Sequence, residues 1–91
     1  MAVKATCSTV QATETPGGLV TITATVDFAD GVTELGSETF QTQTGTKTVA
    51  ARNWIIAELI KQIVERKATL TSQRAFITQC DTIKTAVQGG I

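Results

Sequence analysis

Hydrophobic and polar positions change period once along this chain, near residue 45, and that change divides it into two kinds of structure. In "LVTITATVDF", residues 19 to 28, Val20, Ile22, Ala24, Val26 and Phe28 alternate with Thr21, Thr23, Thr25 and Asp27. A strict period of two predicts a strand with one apolar and one threonine face. Upstream, "TETPGG" supplies Pro16 to pre-set φ and Gly17 for a positive φ, so a turn is expected there and a preceding, poorly patterned strand over 3–13. Downstream, "ADG" at 29–31 signals a hairpin, and "SETFQTQT" at 37–44 alternates again with Phe40 pointing inward. Gly36 between them predicts a bulge.

From Val49 the period becomes helical. Thr46 or Thr48 is placed to cap a helix that runs to about Lys67. At about 100° per residue, Val49, Ile56, Leu59, Ile60, Ile63 and Val64 fall in an arc of roughly 140°. A stripe that broad suits contact with a sheet and a second helix together. "ATLTS" at 68–72 is β-branched and hydroxyl-rich and is expected to break the helix, although one helix running on through Leu70 is an alternative. A second helix over about 73–88 follows, ended by Gly89 and Gly90. Its seam, Phe76, Cys80, Ile83 and Val87, is about 60° wide and suits one partner, for which the first helix, in an αα-hairpin, is the simplest candidate. The expected fold is therefore α+β: a two- or three-stranded antiparallel β-meander followed by an αα-hairpin packed on it, in a single domain, 1–91, with a β-rich half at 1–45 and a two-helix half at 46–91.

Composition sharpens this picture in three places. Ninety-one residues form at most one domain, which buries a modest fraction of its unfolded surface. Thirteen of the 18 threonines precede Val49, which favours extended structure where the alternation already predicts it. Net charge is zero, yet residues 1–45 hold one lysine against five carboxylates, net −4, and residues 46–91 seven basic against three acidic groups, net +4. Complementary halves and a neutral whole both ease self-association.

Trp54 departs from the helical pattern. It projects opposite the apolar stripe, beside Glu58, Lys61 and Glu65 and among Ala50, Ala51 and Ala57. Either the first strand or second helix covers it, or it marks a contact surface, since tryptophan is enriched at interface hot spots. The candidate surface comprises Trp54, Ile55, Ala51, Glu58, Lys61 and Ile77. Phe40 joins it because its strand carries few charges and no proline to protect the edge.

Chemistry is hard to place on these residues. With no histidine, imidazole bases and the commonest transition-metal ligand are missing. Cys7 and Cys80 are too few and too far apart in sequence for a zinc site. A buried free thiol at Cys80 is expected in preference to a disulfide, because no cleavable signal sequence precedes them. Asp27, Asp30 and Glu34 lack the alternating oxygens of a calcium loop, and neither "TPGG" nor "GTKT" has phosphate-loop spacing. No enzymatic activity, cofactor or metal is expected. A strand followed by two helices is similar to the ribbon-helix-helix arrangement, but "ETFQTQT" has no Lys or Arg to meet DNA, and the basic residues of the helices are dispersed.

The Thr- and Ala-rich strands, the "VDFADGVTE" hairpin and the amphipathic helix after it resemble small virion proteins of tailed bacteriophages, of the kind found at head, neck or tail joints. The resemblance spans residues 19 to 67. It implies a homo-oligomeric place in a particle, beside other structural proteins and with no enzymatic role. The expected function is thus a structural module that self-associates or docks on a larger complex, located in a virion if phage-derived and otherwise cytoplasmic. Nucleic acid and membrane are not expected partners. The alternative is a small regulator that binds nucleic acid or a host protein.

Overall fold

The computed structural model describes residues 3–91. It is an antiparallel meander, β1 (Val3–Glu14), β2 (Val20–Asp30) and β3 (Thr33–Thr44) in the order β1-β2-β3, followed by α1 (Val49–Ile77) and α2 (Cys80–Gly89). The α+β class and the three-stranded meander are as the alternation predicts. Ala24, Val26 and Phe28 of β2 are buried under α1, while the threonine face of β2 turns the other way. Phe40 of β3 meets Phe28 edge to face, with ring centroids 6.1 Å apart.

β1 explains its own poor pattern. Its register against β2 shifts between Cys7 and Thr9, a bulge that inserts one residue. Before it Ala5 and Cys7 oppose Phe28 and Val26; after it Val10 and Ala12 oppose Ala24 and Ile22. An extra residue inverts the parity of everything beyond it, so an apolar face continuous in space is broken in sequence. A second register shift, beside Phe28, puts Gly36 at φ 103°, the bulge its glycine foretold, and extends β3 back to Thr33. In the first turn the positive φ of 84° falls on Gly18 rather than Gly17, while Thr15 closes the loop through Leu19.

The helical half differs from expectation in two ways. The break at 68–72 is not there: α1 runs unbroken for 29 residues. Thr69 and Thr71 donate their hydroxyls to the carbonyls of Glu65 and Lys67, one turn back, so the hydroxyls are satisfied inside the helix. Leu70 is buried against Val3, Val26 and Phe28, and that contact stabilises helix where propensity alone favours a break. The interruption comes instead at Thr78–Gln79, where Gln79 N–H donates to the Phe76 carbonyl at 3.0 Å, a tighter i→i+3 turn.

Beyond it α2 continues outward rather than folding back as a hairpin arm, and none of its residues is buried. Forty-one residues at about 1.5 Å each make a rod of about 61 Å, which accounts for the longest dimension, 63 Å. The radius of gyration is 18.7 Å, against about 12 Å for a compact domain of this length.

The face α1 turns to the sheet is rotated from the predicted stripe. Ile55, Leu59, Ile63 and Leu70 lie along it, and so do Gln62, Arg66 and Arg74. Gln62 donates to the Gln41 carbonyl, Arg66 bonds Glu38 at 2.7 Å, and Arg74 bonds Asp30 at 3.0 Å. Polar residues on both surfaces pair across the contact, which hydropathy cannot anticipate. In consequence Val49, Ile56, Ile60 and Val64, four of the six predicted core positions, are exposed.

Candidate interaction surfaces

A helix about 10 Å wide is asked to cover three strands spaced about 4.8 Å apart. It packs chiefly on β3, leaving the far half of β1 bare. The result is an open groove of about 570 Å³ between α1 and the sheet, floored by Val10, Val20 and Ile22 and walled by Val49, Ile55 and Ile56. Its rim carries Lys47 and Arg52. The groove is continuous with the exposed row Ile56, Ile60, Val64, spaced i, i+4, i+8 along α1.

A second apolar surface lies along the projecting rod. Phe76, Ile83 and Val87 are exposed, as is Cys80 between them. The expected burial of Cys80 fails because nothing packs on its seam, and Cys7 is likewise a free, exposed thiol. Spacings of four, three and four residues are those of a coiled-coil seam.

The residues expected to form a contact surface separate into two groups. Ile55 is a core residue, packed with Ala24 and Leu59, that shows only its edge to the groove, and Phe40 packs against both core clusters, so neither belongs to an exposed patch around Trp54. Trp54 is 51 % exposed, covered by neither β1 nor α2, and Ile77 and Lys61 are exposed as well. Glu58 and Ala51 are half-buried. At about 100° per residue, Trp54 lies on the charged flank of α1, away from the groove. The groove was not foreseen, because its floor comes from strands and its wall from a helix. The only signal for it in the sequence was an apolar arc wider than a sheet contact needs.

The opposite charges of the two halves are largely spent within the chain. Lys47–Glu14 at 2.8 Å, Arg66–Glu38 and Arg74–Asp30 each join helical half to sheet, reducing −4 and +4 to −1 and +1. Asp30–Arg74 is the most enclosed of the three. The Lys47 ammonium, by hydrogen bond first and by charge second, holds the Glu14 carboxyl below its ordinary range. Asp27 accepts from the Ser37 hydroxyl, so two of the three acidic residues near the hairpin already have partners. Among the described residues no group of three acidic or thiol side chains converges as a metal site would require, and no helix is long and apolar enough to cross a membrane.

Fold and surfaces together define a small α+β module, a meander under one long helix, with two separate apolar surfaces. Compared with protein-family models, curated proteins and solved structures, the chain matches none.

Proposed function

We propose that this protein is a non-enzymatic structural module that self-associates and takes its place in a larger assembly. One observation carries the reading. The chain exposes 6462 Å², whereas a compact monomer of 9.6 kDa exposes about 5,100 Å² by the usual mass scaling. The surplus, on the order of 1,300 Å², exceeds the roughly 800 Å² that each partner contributes to a standard interface. It includes groups that gain by burial: Phe76, Ile83 and Val87 on the rod, and Val49, Ile56, Ile60 and Val64 on α1.

The narrower reading, a virion component of a tailed bacteriophage that joins other structural proteins, is supported by the sequence resemblance over residues 19 to 67. A subunit whose apolar surface is completed by neighbours is consistent with such a place.

Light scattering across concentration, at low and high salt, tests the assembly. The expected result is a discrete oligomer that persists at high salt, because apolar contacts are not screened as charge contacts are. A monomer at every concentration would overturn self-association. Binding to nucleic acid that weakens steeply with salt would favour a regulator instead.

A further inference from the structure

We infer that the groove between α1 and β1 is the seat of the projecting rod end of a second copy of this chain, the last turn of α1 together with α2, lying antiparallel to α1 with Phe76, Ile83 and Val87 turned into it. The inference rests on the self-association proposed above and says which surfaces meet.

The chain's own α2 cannot fill the groove. Folded back at Thr78–Gln79, α2 brings Val87, the last residue of its seam, beside about residue 70 of α1, whereas the groove is walled by Val49 to Leu59. The shortfall is at least ten residues, or about 15 Å. A helix there must come from another molecule.

Each molecule displays one that fits. The seam from Phe76 to Val87 spans about 17 Å, and the stretch of α1 lining the groove, Val49 to Leu59, about 15 Å. The ends match in charge only in the antiparallel sense. The first turn of α1 contains no acidic residue and carries Arg52, so it presents a positive helix end. The last turn of α2 contains no basic residue to offset the negative end of its helix dipole. Antiparallel docking sets these ends together. It also supplies the second helix that a three-stranded sheet lacks, making in trans the helix pair that the seam of α2 suggests.

Groove and seam are different surfaces, centred about 40 Å apart along the rod. Because the two rods run antiparallel, seating one copy's α2 in its partner's groove also brings the partner's α2 to the first copy's groove, so two equivalent contacts close a two-fold dimer in which each copy gives one groove and one α2.

This predicts a mixing result that neither groove-to-groove nor seam-to-seam pairing gives. Ile56→Glu spoils the groove and Ile83→Glu the seam; the two side chains are 48 % and 42 % exposed, so both variants are expected to keep the far-UV spectrum of the folded chain. If Ile56→Glu disturbs the fold, Val49→Glu, at a more exposed position on the groove wall, replaces it. Each variant alone should sediment as a monomer, its self-affinity at least about 100-fold weaker, since either contact would bury an unpaired carboxylate. Mixed, they should form a one-to-one pair, the intact groove of one holding the intact α2 of the other.

If only Ile83→Glu dissociates, the seam pairs with itself, and if only the groove variant does, the groove does; either result overturns the inference and leaves self-association standing. Two monomers that stay apart on mixing also overturn it. A wild-type protein that is itself monomeric throughout removes both this contact and the assembly reading.

Discussion

Leu70 shows at the scale of one residue how position in the fold outweighs local preference. It sits in a stretch whose neighbours, Thr69 and Thr71, favour extended backbone, yet it is buried on Val3, Val26 and Phe28. Among the described residues only seven apolar residues are buried, so each matters. Leu70→Ala should lower the unfolding free energy by about 2–4 kcal/mol, a large part of the roughly 5–10 kcal/mol expected for a domain this size. Ile60→Ala, at an exposed site in the same helix, should change monomer stability by less than about 0.5 kcal/mol. Denaturant midpoints of the two variants provide the comparison. Glu14 is a second residue-scale case. Its folded pKa is lowered by Lys47, so the ion pair contributes fully above the ordinary carboxyl value of 4.5 and is lost as pH falls below that, through the depressed folded value. An NMR titration should place the Glu14 midpoint below 4.5 and return it toward 4.5 in Lys47→Gln.

Elements are set by where their ends and interruptions find hydrogen bonds. α1 starts at Val49 because the Thr48 side chain accepts from Ala51 N–H at 3.2 Å. Of the two caps the sequence offers, Thr46 lies in the turn before the helix, its N–H donating to the Thr44 hydroxyl and its carbonyl accepting from it. Thr48→Ala should therefore destabilise the protein by about 1 kcal/mol, and Thr46→Ala by much less, as thermal unfolding of the pair will show. The strand signals in β2 and β3 were legible because each strand is half-buried and alternation survives there. β1 was hard to read because its bulge shifts the phase midway. The helix break was misplaced because a threonine hydroxyl satisfied one turn back leaves no mark in a propensity scale.

At the scale of the whole molecule the notable property is elongation. α2 projects past the sheet with no buried residue, so it adds length without adding to the core of the monomer. Removing residues 80–91 should leave the unfolding free energy, measured at a concentration where the full chain is monomeric, within about 0.5 kcal/mol of the original. At higher concentration the same truncation should abolish the proposed self-association. Of the contact residues expected from sequence, Trp54 and Ile77 stay exposed while Ile55 and Phe40 turn inward. A helical projection reports angles relative to its own stripe, and the sheet chose a different zero.

By itself the sequence determined the class of fold, the strands read at 19–28 and 37–44, the inward Phe40, the irregularity at Gly36 and a helix start after Thr46 or Thr48, because alternation, glycine conformation and capping are local. Tertiary structure alone decided which face of α1 meets the sheet. Across that contact Ile55, Leu59 and Leu70 fill the core while Arg66 and Arg74 meet Glu38 and Asp30, groups 28 and 44 residues away. The same choice exposed Ile56, Ile60 and Val64 and, with one helix set across three strands, opened the groove beside Val10. Period and propensity are properties of neighbours in the chain, whereas a surface is made by elements that meet only once the chain has folded.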